Sequence, residues 1–193
     1  MQKRILCYAV ACLLSLNVFS QYIYEGNQSL IDLTTQSNTT NLNSGDDRVS
    51  NAFSLGFNFD FYNQTFSSAR MATNGCLHFK TSGAYCSDYT PDPLANQYTY
   101  TMLPFWTDLI RDNGSKMLAK NFDDMTVFGW YNMREYNRAS DNSFEVILWT
   151  NDTFEFRYGP LDIINHDVLI GEVGSGSSEV YQYLFHDECN VGS

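Results

Sequence analysis

The sequence predicts an all-β protein, an antiparallel two-sheet sandwich with short loops and little helix. Three observations carry that prediction. The stretch FSLGFNFDFY, residues 53–62, is apolar at every odd position from Phe53 to Phe61, while Ser54, Gly56, Asn58 and Asp60 fill the even ones. Side chains alternate between two faces on a strand, so these rings share one face; a helix would scatter them around its circumference. Asn74-Gly75 and Asn151-Asp152 each separate two alternating runs, as hairpin turns do. No window shows a 3.6-residue apolar period with capping residues at its ends.

Residues 21–43 read as an extended lead-in segment, polar with scattered apolar positions and one short strand at Ser29–Leu33. The domain proper spans residues 44–186. Its strand Phe53–Phe61 needs a covering layer, because burying each ring is worth roughly 1.5 to 3 kcal/mol. RMATNGCLHF, 70–79, folds back at Asn74-Gly75, and TVFGWYNMREYN, 126–137, puts Phe128 and Trp130 on one side. SFEVILWT (143–150) and TFEFRYG (153–159) make a second hairpin, with Phe154, Phe156 and Tyr158 alternating against Glu155 and Arg157. VLIGEVG (168–174) and EVYQYLF (179–185) complete the set around the flexible turn GSGSS. Many short aromatic strands without helices close as two sheets packed face to face, a barrel being the other closure. No repeat of fixed length is present, which excludes a propeller or solenoid.

The termini and charge bound the setting. Lys3 and Arg4 precede the apolar run ILCYAVACLLSLNVF, and Ser20 offers a small residue before Gln21, so residues 1–20 read as a signal peptide. The run is shorter than the roughly 20 apolar residues of a membrane span, so the mature protein is expected not to be membrane-spanning. Without Lys3 and Arg4, the 11 basic residues fall to 9 against 22 acidic ones, a net of −13. Such a surface repels phosphate backbones and argues against nucleic acid as a partner. Of five cysteines, Cys7 and Cys12 leave with the leader. Cys76 and Cys86 are spaced to bridge a local loop, worth about 2 to 3 kcal/mol, and Cys189 is left over. Five N-x-S/T sequons, at Asn27, Asn38, Asn63, Asn113 and Asn151, are glycosylation candidates in turn-like contexts.

A search for catalytic chemistry comes back empty. His78, His166 and His186 have no partner at a metal-ligand spacing; His78 reads as a solvent-facing strand residue and His186 as part of the tail. The 174–178 turn lacks G-x-S-x-G, since position 176 is Gly, and no helix follows to make a dinucleotide loop. Asp46-Asp47 and Asp123-Asp124 are adjacent, and on a strand would point to opposite faces, so they read as turn residues. Asp108 and Asp112, with Asn113-Gly114, offer the oxygen ligands that Ca²⁺ takes, but without EF-hand spacing or its closing Glu. No cofactor is expected.

Taken together, several segments resemble the nidogen-like extracellular (NIDO) domain family. GDDRVSNAFSLGFNFDFYNQTF is similar to the family's opening strand and its Phe-Tyr-Gly turn, with Asn63 where glycine is usual. ATNGCLHF resembles its Ser-Asn-Gly-x-Leu-x-Phe hairpin. MLPFWTDL, 102–109, resembles its Ala-Pro-Phe-Trp-Ala-Asp signature, with Trp106 and Asp108 at matching positions. The family often has a second acidic residue two places on, where this chain has Ile110. The resemblance covers residues 44–186 and implies a non-enzymatic extracellular module of matrix, mucin-like and cell-surface proteins, associated with cell–matrix adhesion. HDECN at 186–190 is similar to the start of a calcium-binding EGF-like module; if the sequence continues into one, the tail 187–193 and the unpaired Cys189 are explained, and otherwise Cys189 is a free thiol or an intermolecular bridge.

The expected function is therefore a secreted or cell-surface adhesion or interaction module whose partner is a matrix or cell-surface protein or a glycan. Within it, Pro104, Phe105, Trp106 and Asp108 read as a structural pin for the long Thr81–Tyr98 loop. The alternative is a carbohydrate-binding sandwich with Tyr89, Tyr98 and Tyr100 as an aromatic platform in SDYTPDPLANQYTY. A hydrolase on the same scaffold ranks last.

Overall fold

Strands dominate the computed structural model, which describes residues 28–42, 45–83, 85–86, 89–91, 98–176 and 178–186. The predicted leader, Asn27 and the tail with Cys189 lie outside the described residues. The strands are β1 (Thr40–Asn41), β2 (Phe53–Phe61), β3 (Gln64–Ala72), β4 (Cys76–His78), β5 (Thr101–Trp106) and β6 (Leu109–Ile110). They continue with β7 (Lys116–Asn121), β8 (Met125–Glu135), β9 (Asn142–Trp149), β10 (Phe154–Tyr158), β11 (Val168–Val173) and β12 (Val180–His186). Two antiparallel six-stranded sheets result: β1-β7-β8-β9-β10 with β6 beside β8, and β12-β11-β5-β4-β3-β2.

The phenylalanine row faces the core as its period demands. Leu55, Phe59 and Phe61 are buried, Phe53 and Phe57 half-buried, and the even positions exposed. Pairing of β2 with β3 shifts between Ser54 and Phe59, around Gly56 at φ 79°. The other sheet satisfies the carbonyls exposed there: Asn121 Nδ2 donates to Ser54 O at 3.1 Å and Thr126 Oγ1 to Leu55 O at 2.8 Å. The bulge thus becomes a seam between the layers. Deeper in, Phe59 stacks on Phe79 and Trp130 on Phe144, with ring centroids 5.5 and 5.0 Å apart. Trp130 Nε1 donates across the layers to Ala72 O at 2.9 Å.

Both outer faces carry a smaller apolar cluster. On the first sheet, Leu118, Val127, Tyr131 and Ile147 are buried beneath the lead-in segment, which contributes Leu33. The segment does not make the strand expected at Ser29–Leu33. It crosses the strands as a strap with a 3-10 turn at Leu33–Thr35, because its backbone bonds to side chains below it rather than to a neighbouring strand.

On the second sheet, Ala72, Leu103, Trp106, Leu169 and Val173 pack against Cys76, Cys86 and Tyr98. His78 lies in this layer, 1% exposed, and not in solvent as its alternation with Leu77 and Phe79 suggested. Its Nε2 accepts from the Cys86 N–H at 3.2 Å, which leaves Nδ1 to donate to Thr101 Oγ1 at 2.8 Å. Burial, helped by the Arg70 charge, lowers its pKa to about 3, so the ring stays neutral.

Candidate functional site

The motif residues converge at the end of β5. Pro104 occupies a central strand because the β5–β11 pairing breaks register there, between Leu103 and Trp106, so no ladder donor is missed. Its carbonyl accepts from Tyr158 Oη at 2.8 Å, tying β10 across to β5. Phe105 turns inward, its ring centroid 5.3 Å from that of Phe144, and Trp106 turns outward, edge-on to Tyr98 at 5.3 Å. The pair thus grips both layers, and Trp106 holds one end of the Thr81–Tyr98 loop.

The Asn74-Gly75 turn supports this corner from below. Asn74 is fully buried; its Oδ1 accepts from the Leu109 N–H at 3.1 Å and its Nδ2 donates to Asp47 at 2.9 Å. Gly75 has φ 79°, and a Cβ there would lie 2.1 Å from Phe105 O, so only glycine fits beneath the motif.

Asp108 meets two residues that sequence spacing could not connect to it. His166, in the loop after β10, places Nε2 3.4 Å from Asp108 Oδ2 and Nδ1 2.7 Å from Glu135 Oε1. Glu135 also accepts the backbone N–H groups of Ile164, Asn165 and His166 at 2.9, 2.7 and 2.9 Å. Burial pushes its pKa up, but these donors outweigh it and hold the carboxyl below its usual range. Burial raises Asp108 to about 6 against the pull of His166, with Asp47, Asp46 and Glu135 adding repulsion. Both imidazole nitrogens face carboxylates, so the ring clasps two loops and has no face left to activate a hydroxyl.

A family model described as NIDO related matches residues 21–184. The chain belongs to the NIDO-related family. No curated protein and no solved structure matches it. The matched span takes in the strap as well as the two sheets of this NIDO-related domain.

The remaining predicted residues scatter over the domain. Cys76 and Cys86 are disulfide-bonded, their Cα atoms 6.3 Å apart. With His78 they bring three ligand-type atoms within 4.8 Å, but sulfurs bonded to each other offer no thiolates to a metal. Asp112 belongs to its own turn, accepting from Gly114 N and pairing with Arg134, while the acids acting on Asp108 are Asp47, Asp46 and Glu135.

The tyrosine platform is corrected at Tyr98, which is 6% exposed and packed on Trp106 instead of presented to solvent. Tyr89 is exposed, and Tyr100 is half-buried against Phe66 with Lys80 Nζ 5.1 Å above its ring. Asn38, Asn63, Asn113 and Asn151 are all exposed.

Proposed function

We propose that this NIDO-related domain is a secreted or cell-surface, non-enzymatic module for adhesion or interaction, working on a matrix or cell-surface partner. One observation carries the reading: a buried Cys76–Cys86 disulfide clasps the outer layer of a domain belonging to the NIDO-related family. A structural disulfide suits an oxidising, exported setting. The exposed sequon asparagines fit the same setting. The test is to express the full chain through a secretory pathway, determine the mature N-terminus and the Cys76–Cys86 bond by mass spectrometry, and measure cell adhesion to the coated protein. Saturable adhesion supports the reading. Retention inside the cell, or turnover on a panel of ester, glycoside and peptide substrates, overturns it.

A glycan partner is the second reading, on a surface other than the three tyrosines. A groove of about 700 Å³ is lined by Thr65, Ser67, Ser68, Thr81, Ser82 and Thr99, with Lys80, Phe66 and Phe79 among them. Hydroxyl-bearing side chains, each able to donate and accept, beside aromatic residues suit a hydroxyl-rich ligand. Binding on a glycan array that disappears in Lys80→Ala favours it.

A further inference from the structure

The second sheet parts along β3. That strand runs from Gln64 to Ala72, but β4 pairs with it only between Arg70 and Ala72. Past His78 the chain leaves β3: the Phe79 N–H donates to Tyr100 O at 3.0 Å, and Arg70 Nε donates to Lys80 O at 2.8 Å. Residues 65–68 therefore lose their β4 neighbour, and the groove of about 700 Å³ opens between them and residues 79–83. Phe66 and Phe79 pack on each other with centroids 5.2 Å apart, and Phe79 is buried. Ser67, Lys80, Thr81 and Ser82 are the exposed part of the lining, within reach of a ligand.

The chain carries 22 acidic residues against 11 basic ones, yet no acid is among the described residues that line this groove. Lys80, among the described residues, makes no ion pair with a carboxylate. It is nevertheless held in place: Nζ donates to Thr99 Oγ1 at 2.8 Å and lies 5.1 Å from the centre of the Tyr100 ring. An ammonium has three donors, so two remain for a ligand. The Arg70 guanidinium on the Lys80 carbonyl adds positive charge behind it. Asp60 accepts from Thr65 Oγ1 at 2.5 Å and is the acid bonded to a lining residue.

We propose that this groove takes a saccharide bearing one acidic group, a carboxylate or a sulfate ester, with the anion on Lys80 and the sugar hydroxyls on Ser67, Ser68, Thr81 and Ser82. The inference rests on the glycan reading and names the class of sugar. Serine and threonine hydroxyls donate and accept, as sugar hydroxyls do, so the two sets pair in either direction. An ammonium already held in position favours one negative charge beside them and loses little freedom on binding it. The chain's net charge of −11 disfavours a polyanion such as a phosphodiester chain.

The probes are fluorescein-labelled disaccharides ending in glucuronate, in glucose 6-sulfate or in glucose, compared by anisotropy on the purified chain. At least one acidic form is expected to bind about fivefold to tenfold tighter than the glucose form, and which one does so identifies the anion. Lys80→Gln should abolish that preference and Lys80→Arg should keep it. Ser67→Leu, at an exposed position, should weaken all three by filling the groove. Lys120 is a lysine held in the same way on the first sheet, donating to Ser37 O with its Nζ 4.8 Å from the centre of the Phe122 ring. Lys120→Gln should leave the preference intact. Equal binding of the three sugars overturns the proposal, as does a preference that survives Lys80→Gln or falls equally in Lys120→Gln. Binding of the glucose form that is lost in Ser67→Leu, without an acid preference, sinks this inference alone and keeps the glycan reading. Failure of all three probes to bind overturns the inference, and an empty glycan array as well sinks the glycan reading with it.

Discussion

Tyr131 donates its hydroxyl hydrogen to Glu145 at 2.6 Å, its ring laid over Gly129, where a Cβ would come within 2.2 Å of Tyr131 Oη. Gly129 and Glu145 are cross-strand partners, so the glycine is the space that lets the phenol reach the acid. Glu145 also accepts the N–H groups of Ile31 and Asp32 at 2.8 Å each, and Tyr131 Oη accepts that of Leu33 at 2.9 Å. One buried carboxylate thus gathers the strap at Ile31 and Asp32 directly and at Leu33 through Tyr131, with Arg157 Nη1 donating to Ser29 O at 3.1 Å beside it. Glu145→Ala should cost about 2 to 4 kcal/mol, since it strands buried donors. Gly129→Ala should loosen the same contact by displacing the ring. Denaturant unfolding gives the cost, and faster hydrogen exchange at residues 31–33 locates it.

Glu135 does for the loop after β10 what Glu145 does for the strap. Removing it leaves three backbone N–H groups and the His166 ring without their acceptor. Glu135→Ala should therefore destabilise the domain by about 3 kcal/mol or more, with exchange quickening first at 164–166. Asp112→Ala, which removes an exposed turn contact and a half-exposed ion pair, should cost under about 1 kcal/mol. Equal costs would show that Glu135 is not the clasp.

Two of the buried acids, Asp108 and Glu172, set a pH dependence whose sign runs against ordinary acid denaturation. Burial raises Asp108 from 3.8 to about 6 and Glu172 from 4.5 to about 7. Each binds its proton more tightly folded than unfolded. The stability this contributes is complete below the unfolded value and is lost as pH rises through about 6 and about 7 respectively. Glu172→Gln keeps an acceptor for Tyr62 and has nothing to ionise. Between pH 5 and pH 8 it should gain up to about 3 kcal/mol on the wild type. Paired melting curves at the two pH values check this, and parallel behaviour of the two proteins would refute it.

Much of the fold was legible because strand burial repeats every two residues. The row from Phe53 to Phe61 and the Asn74-Gly75 turn appear in the structure as local patterns imply, and Phe154, Phe156 and Tyr158 pack against the core, although Glu155 and Arg157 between them are half-buried as well. The clasps were not legible. Glu145 and Glu135 look like solvent-facing strand acids, since their partners lie 113 and 31 positions away. His78 was misread for the same reason: alternation tells which face of a strand a residue takes, not whether another segment lies over that face. Asp108 could be singled out by its motif, but its contact with His166 follows from two loops meeting at one end of the sheets.

The outer layer over the second sheet offers the last prediction. Cys86 is joined to β4 twice, by its bond to Cys76 and by its N–H to His78 Nε2. The ring must be neutral to accept that hydrogen bond, and its pKa is lowered to about 3. A His depressed in this way contributes stability that is complete above its unfolded value of 6.5 and is lost as pH falls toward 3. Reducing the disulfide, or Cys76→Ala/Cys86→Ala, should lower stability by about 2 to 3 kcal/mol at neutral pH and expose Tyr98 and Trp106 to solvent. With the loop released, His78 should titrate nearer its ordinary value, so the loss below pH 6 should be smaller in the reduced protein. Tryptophan fluorescence and His78 NMR shifts across pH 3 to 8, oxidised against reduced, measure both. An unchanged His78 titration after reduction would mean that something other than the bridged loop buries the ring.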